Sequence, residues 1–246
     1  SCGGGVLPTL VCSRVSAGND DAEEDNSGSV SLTSSDLELT DDSGVQTVGM
    51  RFNGLNIPQG AAITGASIQF TVDETRNLDP CNLTLYGEAA DNANAFSSSN
   101  GNISSRPRTS ASVTWAPPAW TPVGNAGPAQ QTPDIASIVQ EIVNRSGYTS
   151  ASSIALLIDG TGRRTAESYN GSASQAPELC VEYVLAPAYD CPTLSANVGD
   201  SCDDGDNSTV NDAVDANCNC AGTPTACAGI GDNDGDGVCA NVDCDD

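Results

Sequence analysis

The chain contains neither lysine nor histidine, and its only cations are eight arginines set against 33 acidic residues. Each absence excludes a class of chemistry. Without histidine there is no general base of the usual kind and no imidazole for zinc or copper. Without lysine there is no Schiff-base chemistry and no phosphate-cradling P-loop lysine. A formal charge of −25 leaves nothing to displace counterions from a nucleic-acid backbone and repels anionic lipid. Aromatic residues are only 4% of the 246 positions, and no apolar run approaches the length of a membrane-spanning helix. Carboxylate-only catalysis, such as glycoside hydrolysis, survives these exclusions. It requires a pair of acids set across a cleft, and no motif marks one. The composition therefore reads as a non-enzymatic protein whose natural partners are hard cations, Ca²⁺ first among them.

What the chain has in quantity is cysteine and aspartate. Eleven cysteines with no CxxC pair and no histidine do not build zinc sites. They predict disulfides, and hence a secreted, extracellular or cell-surface protein. Cys2 and Cys12 flank a strand-like arm over residues 1–13, which Pro8 restricts to a sheet edge. They bridge each other or reach elsewhere. Cys81 at the start of one strand and Cys180 in the last are candidates for a bridge across the main domain. Cys191, Cys202, Cys218, Cys220, Cys227 and Cys239 crowd the C-terminal segment. The total is odd, so one cysteine is left over, and Cys244 is the candidate for a bond to a neighbouring chain.

Residues 14–187 alternate apolar and polar side chains with period two, broken by Gly, Asn, Asp and Pro. Val48, Met50 and Phe52 share one face, as do Ala66, Ile68, Phe70 and Val72. Leu83 and Leu85, Val113 and Trp115, Ile154, Leu156 and Ile158, and Leu179, Val181 and Tyr183 repeat the pattern. The expected fold is mainly β, a jelly-roll β-sandwich. One helix is expected after Asp134 as N-cap, with Ile135, Ile138, Val139, Ile142 and Val143 as its buried stripe, plugging one end of the sandwich. Trp115 and Trp120 flank Ala116-Pro117-Pro118-Ala119. Core packing is the favoured reading for both, and glycan binding is the alternative. The run Asp20 to Asp25 reads as a solvated acidic turn rather than a cation site, and Arg163-Arg164 as an internal salt bridge rather than a docking point.

From 188 to 246 the large apolar residues disappear, so this tail needs staples and metal to fold. Asp232, Asp234 and Asp236 occupy positions one, three and five of an EF-hand-spaced loop, with Gly237 at six, the Val238 carbonyl at seven and Asp243 at twelve. Alternating acids turn their oxygens inward on one ion, and glycine permits the sharp turn. Asp204, Asp206, Ser208, the Val210 carbonyl, Asp212 and Asp215 repeat the spacing, with Thr209 where glycine is preferred. The expected cofactor is Ca²⁺.

Val48-Gly49-Met50-Arg51-Phe52, Leu55 to Ala61, Ile63 to Phe70, Ser112 to Trp115, the helix around Ile138 to Val143, and Ala176-Pro177-Glu178-Leu179 follow in an order that resembles the DNRLRE-type extracellular β-sandwich domains. These are grouped with carbohydrate-binding-module-like jelly rolls, and the resemblance spans about 170 residues. The Cys- and Asp-rich tail resembles the thrombospondin type 3 calcium repeats of bacterial surface proteins. The resemblance implies a sandwich on a secreted protein. The expected role is a structural subunit or repeat of an extracellular filament, adhesin or matrix, partnered by copies of itself or neighbouring repeats. The alternative is a carbohydrate-binding module detached from a larger enzyme, with polysaccharide as partner.

Overall fold

The computed structural model describes residues 7–185, 189–206 and 209–224. The chain divides into two compact units, Ser1–Ala186 and Pro187–Asp246. The first contains β1 (Thr9–Arg14), β2 (Asp21–Asp25), β3 (Val30–Ser31), β4 (Asp36–Leu39), β5 (Gln46–Phe52), β6 (Ala62–Gln69), β7 (Val72–Glu88), β8 (Arg108–Trp115), helix α1 (Ala136–Val143), β9 (Ile154–Glu167) and β10 (Glu178–Val184). Three strands form a small antiparallel sheet in the order β1-β10-β6. The other seven form a large sheet in the order β3-β2-β5-β9-β7-β8, with β4 also paired to β9.

The alternation in the sequence dictates which faces meet. Ala66, Ile68, Leu179 and Val181 of the small sheet and Val48, Met50, Phe52, Leu83, Leu85, Ile154, Leu156 and Ile158 of the large one are all buried in a single apolar cluster. The two sheets thus pack as a sandwich whose interior is the period-two stripe. The helix spans both layers at one end. Ile135, Ile138, Val139, Ile142 and Val143 are at most 1% exposed, and Ile142 and Ile138 sit so close to Gly87 that a Cβ there would lie 2.7 and 2.8 Å from them. Its polar side chains pair with sheet-edge backbone. Gln140 accepts from Ile63 N and donates to Ala61 O, while Glu141 accepts from Ser110 N and Ala111 N. Asp134 stands two residues before the first helical residue, and its Oδ1 accepts from both Ala136 N and Ala66 N. The N-cap is Ile135 rather than the expected Asp134, and Asp134 instead ties the start of the helix to β6.

Strand β9 is buried on both faces. Ile154, Leu156 and Ile158 face the sandwich interior, while Ala155 and Leu157 join Ala22, Ala93, Phe96 and Ile103 in a second apolar cluster. The segment over residues 89–107 covers this outer face of the large sheet. Gly49 is needed beneath it, since a Cβ there would lie 2.5 Å from Phe96 Cζ. Where β9 pairs with β7, Gly162 has φ +79°, and a Cβ would meet Pro80 O at 2.5 Å. Only glycine suits both that backbone and that approach.

The cysteine pairing differs from expectation. Cys12 bonds Cys180, its direct cross-strand neighbour between β1 and β10. Cys12 is therefore not joined to Cys2, and Cys180 is not joined to Cys81. Cys81 is a free thiol, 5% exposed, in the sandwich core, and burial pushes its pKa up, which makes it inert. Spacing along the chain carries no information about a bridge spanning 168 residues, because register, not distance in sequence, brings the two together.

In the second unit, β11 (Thr209–Val214) and β12 (Cys220–Pro224) form an antiparallel hairpin. Two disulfides hold it, Cys191–Cys218 and Cys202–Cys220. Among its described residues only Cys191 and Val214 are buried apolar side chains. Cys2, Cys227, Cys239 and Cys244 lie outside the described residues.

Candidate metal centres

The tail was expected to wrap residues 204–215 around one ion. Instead β11 occupies positions six to eleven of that stretch, so its ligands come from a hairpin and the segment leading into it. Oxygens of Asp203, Asp204 and Asp212 lie within 4.8 Å of one another. Asp212 Oδ2 accepts from Asp204 N at 3.1 Å, while its Oδ1 is buried and has no partner. Asp204 accepts from Asp206 N, Gly222 N and Thr209 Oγ1, and these bonds, the Asp206 N–H first, hold its pKa below the usual carboxylate value. Two expected ligands, Asp204 and Asp212, are thus brought together, and Asp203 joins them. Asp206 is not among the three converging carboxylates, although its backbone orders Asp204. Asp215 turns onto its own loop, with Oδ1 accepting from Asn217 N and Asn219 N. The side chain of Val210 is 47% exposed on β11. Ser208, Asp232, Asp234, Asp236, Val238 and Asp243 lie outside the described residues.

The donor set suits a hard cation. It is all oxygen, and the orphaned Asp212 Oδ1 is the kind of buried acceptor that an ion satisfies. Gly222 closes the opposite wall, where a Cβ would lie 2.0 Å from that oxygen. Asp203 was not singled out in the sequence because it falls outside the alternating spacing. Its only signal is adjacency to Asp204.

The acidic run is strand over Asp21–Asp25, not solvated turn. Asp20, Asp21, Glu23 and Glu24 are 2, 3, 7 and 3% exposed. Each is satisfied by the protein itself. Asp20 pairs with Arg51 at 2.6 Å and accepts from Asn53. Glu24 accepts from Ile103 N, Ser104 N and Ser104 Oγ, pinning the segment that covers the outer sheet face. Glu23 accepts from Glu38 N and Gln46 Nε2 along the edge of β4. The carboxyl of Glu38 is pushed up to about 8, by burial first and then by Glu23.

Asp21 accepts from Tyr169 N at 2.7 Å, yet burial, with help from Glu23 and Asp20, raises it to about 6 from its ordinary 3.8. A carboxyl raised on folding stabilises fully below its unfolded pKa, and the contribution fades as pH climbs through the folded value. Asp21→Asn removes this titration and keeps an acceptor for Tyr169. The stability difference between the variant and the wild type should shift by about 2 kcal/mol in the variant's favour from pH 4 to pH 7. Urea melts at the two pH values measure it, and a difference that does not change with pH refutes the assignment.

No protein-family model and no curated protein matches this chain.

The two tryptophans are core. Trp120 is fully buried and donates Nε1–H to Ala129 O, and Trp115 is 7% exposed. Both rings pack on Phe70, with centroids 5.8 and 5.9 Å away. Neither presents a face on which a sugar ring could stack. Arg164 is buried too, inside the first unit.

Proposed function

We propose that this chain is a non-enzymatic structural module of an extracellular or cell-surface assembly, built on a jelly-roll sandwich and stabilised by disulfides and Ca²⁺. The reading is carried by one observation. The second unit has two disulfides and two buried apolar side chains among its described residues, so its order must come from covalent staples and from the groups that converge on Asp212. Such construction suits an oxidising compartment and a role in which a fixed shape, rather than a reactive site, is the product. The absence of histidine and lysine supports the same reading. So does the resemblance to DNRLRE-type domains and thrombospondin type 3 repeats. The partners are copies of this chain or neighbouring repeats, in a filament, adhesin or matrix.

The full chain, compared in EDTA and in millimolar Ca²⁺, tests the calcium part. The amide resonances of Asp204, Asp212 and Gly222 should disperse with Ca²⁺ and collapse toward unfolded positions in EDTA. Identical spectra in both refute it. Sedimentation without reductant tests the assembly, where a purely monomeric chain at every concentration counts against it.

A further inference from the structure

On the large sheet, β4, β9 and β7 lie side by side. Leu37, Ala166 and Val72 form one cross-strand row and all three point into the sandwich core, at most 1% exposed. The rows flanking it therefore face outward. One is Asp36 opposite Glu167, and the other is Glu38, Thr165 and Glu74. A register shift between Val72 and Glu74 inserts Asp73, whose carboxyl is close enough to that of Glu167 to help push it up, after burial. Oxygens of Asp36, Asp73 and Glu74 lie within 4.8 Å of one another. Arg76 reaches Glu74 at 4.0 Å from an exposed position. Asp36, Asp73 and Glu167 have no ion pair among the described residues.

An independent observation marks the same place. Thr165 is 1% exposed, and its Oγ1 has no hydrogen-bond partner. It is directly cross-strand from Glu38 on one side and Glu74 on the other, at the floor of the carboxylate array. A buried hydroxyl left unpaired beside several carboxylates calls for a missing ligand.

We propose that this face binds a divalent cation, Ca²⁺ in preference to Mg²⁺, between Asp36, Asp73 and Glu74, with Thr165 Oγ1 and Glu167 supplying further oxygens. The dimensions agree. Ca²⁺–oxygen distances of about 2.3–2.6 Å let two ligand oxygens of one ion stand up to about 4.6–5.2 Å apart, so oxygens lying within 4.8 Å of one another can share one ion. The donors are all oxygen, they come from three strands, and the outward side is open to water. That suits the high and flexible coordination of Ca²⁺ better than the strict octahedron of Mg²⁺. The ion would tie the four-residue β4 to β7 across β9 and remove the mutual repulsion of the acids. This site is separate from the tail and does not depend on the reading of the tail.

The test is a titration of the full chain with Ca²⁺ alone and with Mg²⁺ alone, followed by residue-resolved NMR. The amides of Asp36, Asp73, Glu74 and Thr165 should shift with Ca²⁺ in the range of about 0.1–1 mM typical of extracellular modules, and less with Mg²⁺. Asp73→Asn and Asp36→Asn should each weaken those shifts tenfold or more while leaving the response of Asp204 and Gly222 unchanged. Thr165→Val should weaken them several-fold. Absence of these shifts at 10 mM Ca²⁺, or shifts that persist unchanged in Asp73→Asn, overturns the proposal.

Discussion

Replacing Arg164 by methionine should cost about 3–5 kcal/mol of folding stability, one of the two largest effects expected for this chain. Arg164 is 1% exposed. Its guanidinium donates to Pro118 O at 2.7 Å, Pro117 O at 2.8 Å, Arg163 O at 2.7 Å and Asp79 Oδ1 at 2.6 Å. Methionine fills comparable space but donates nothing, so buried carbonyl groups lose their partners, each at a cost of about 1–3 kcal/mol. The carboxylate itself matters less. Asp79 is 62% exposed, and an ion pair with so wet a partner contributes under about 1 kcal/mol. Asp79→Asn should therefore be nearly silent. Urea denaturation of the two variants separates the cases. Equal losses would mean that the charge pair, not the bonding of the Pro117-Pro118 carbonyls, gives Arg164 its weight.

Arg164 also shows what could be read in advance and what could not. The pairing of two arginines in a glycine-rich turn predicted an internal ion pair, and Arg164 makes one. That its main partners are backbone carbonyls 46 and 47 residues away depends on how β9 pairs with β7, which no local pattern encodes. The same division runs through the molecule. Periodicity identified the inward residues of β5, β6, β9 and β10 and the buried stripe of α1, because apolar side chains at period 2 or 3.6 have one place to go. Acids and cysteines follow no such rule. The run at 20–25 looked solvated because unpaired acids are costly to bury. Yet Asp20, Asp21, Glu23 and Glu24 find donors between 15 and 148 residues away. Asp36, the adjacent pair Asp73-Glu74 and Glu167 are likewise far apart in sequence and meet only through the register of β4, β9 and β7.

In the tail the covalent framework must decide whether there is a fold at all. Serine at both Cys202 and Cys220, or at both Cys191 and Cys218, should abolish ordered structure over residues 189–224. The bridges close loops of 18 and 27 residues, and cross-links of that size stabilise by about 3 kcal/mol each through the unfolded chain. The apolar contribution is small. Val214 and Cys191 are the buried apolar side chains among the described residues of this unit, and full burial of one valine contributes only about 1.5–3 kcal/mol. Neither bridge can be lost without exceeding the stability of so small a unit. The sandwich has its own core and its own bridge, Cys12–Cys180. Trypsin would report poorly on a tail without lysine or arginine, so the measurement is amide hydrogen exchange by residue. Protection should vanish at Val210, Val214 and Ala221 in either double variant and persist at Leu156 and Val181. Retained protection in the hairpin after loss of a bridge would mean that bound cation, rather than sulfur, supplies most of its stability. Repeating the exchange in EDTA then shows whether carboxylates and cystines act as alternatives or only together.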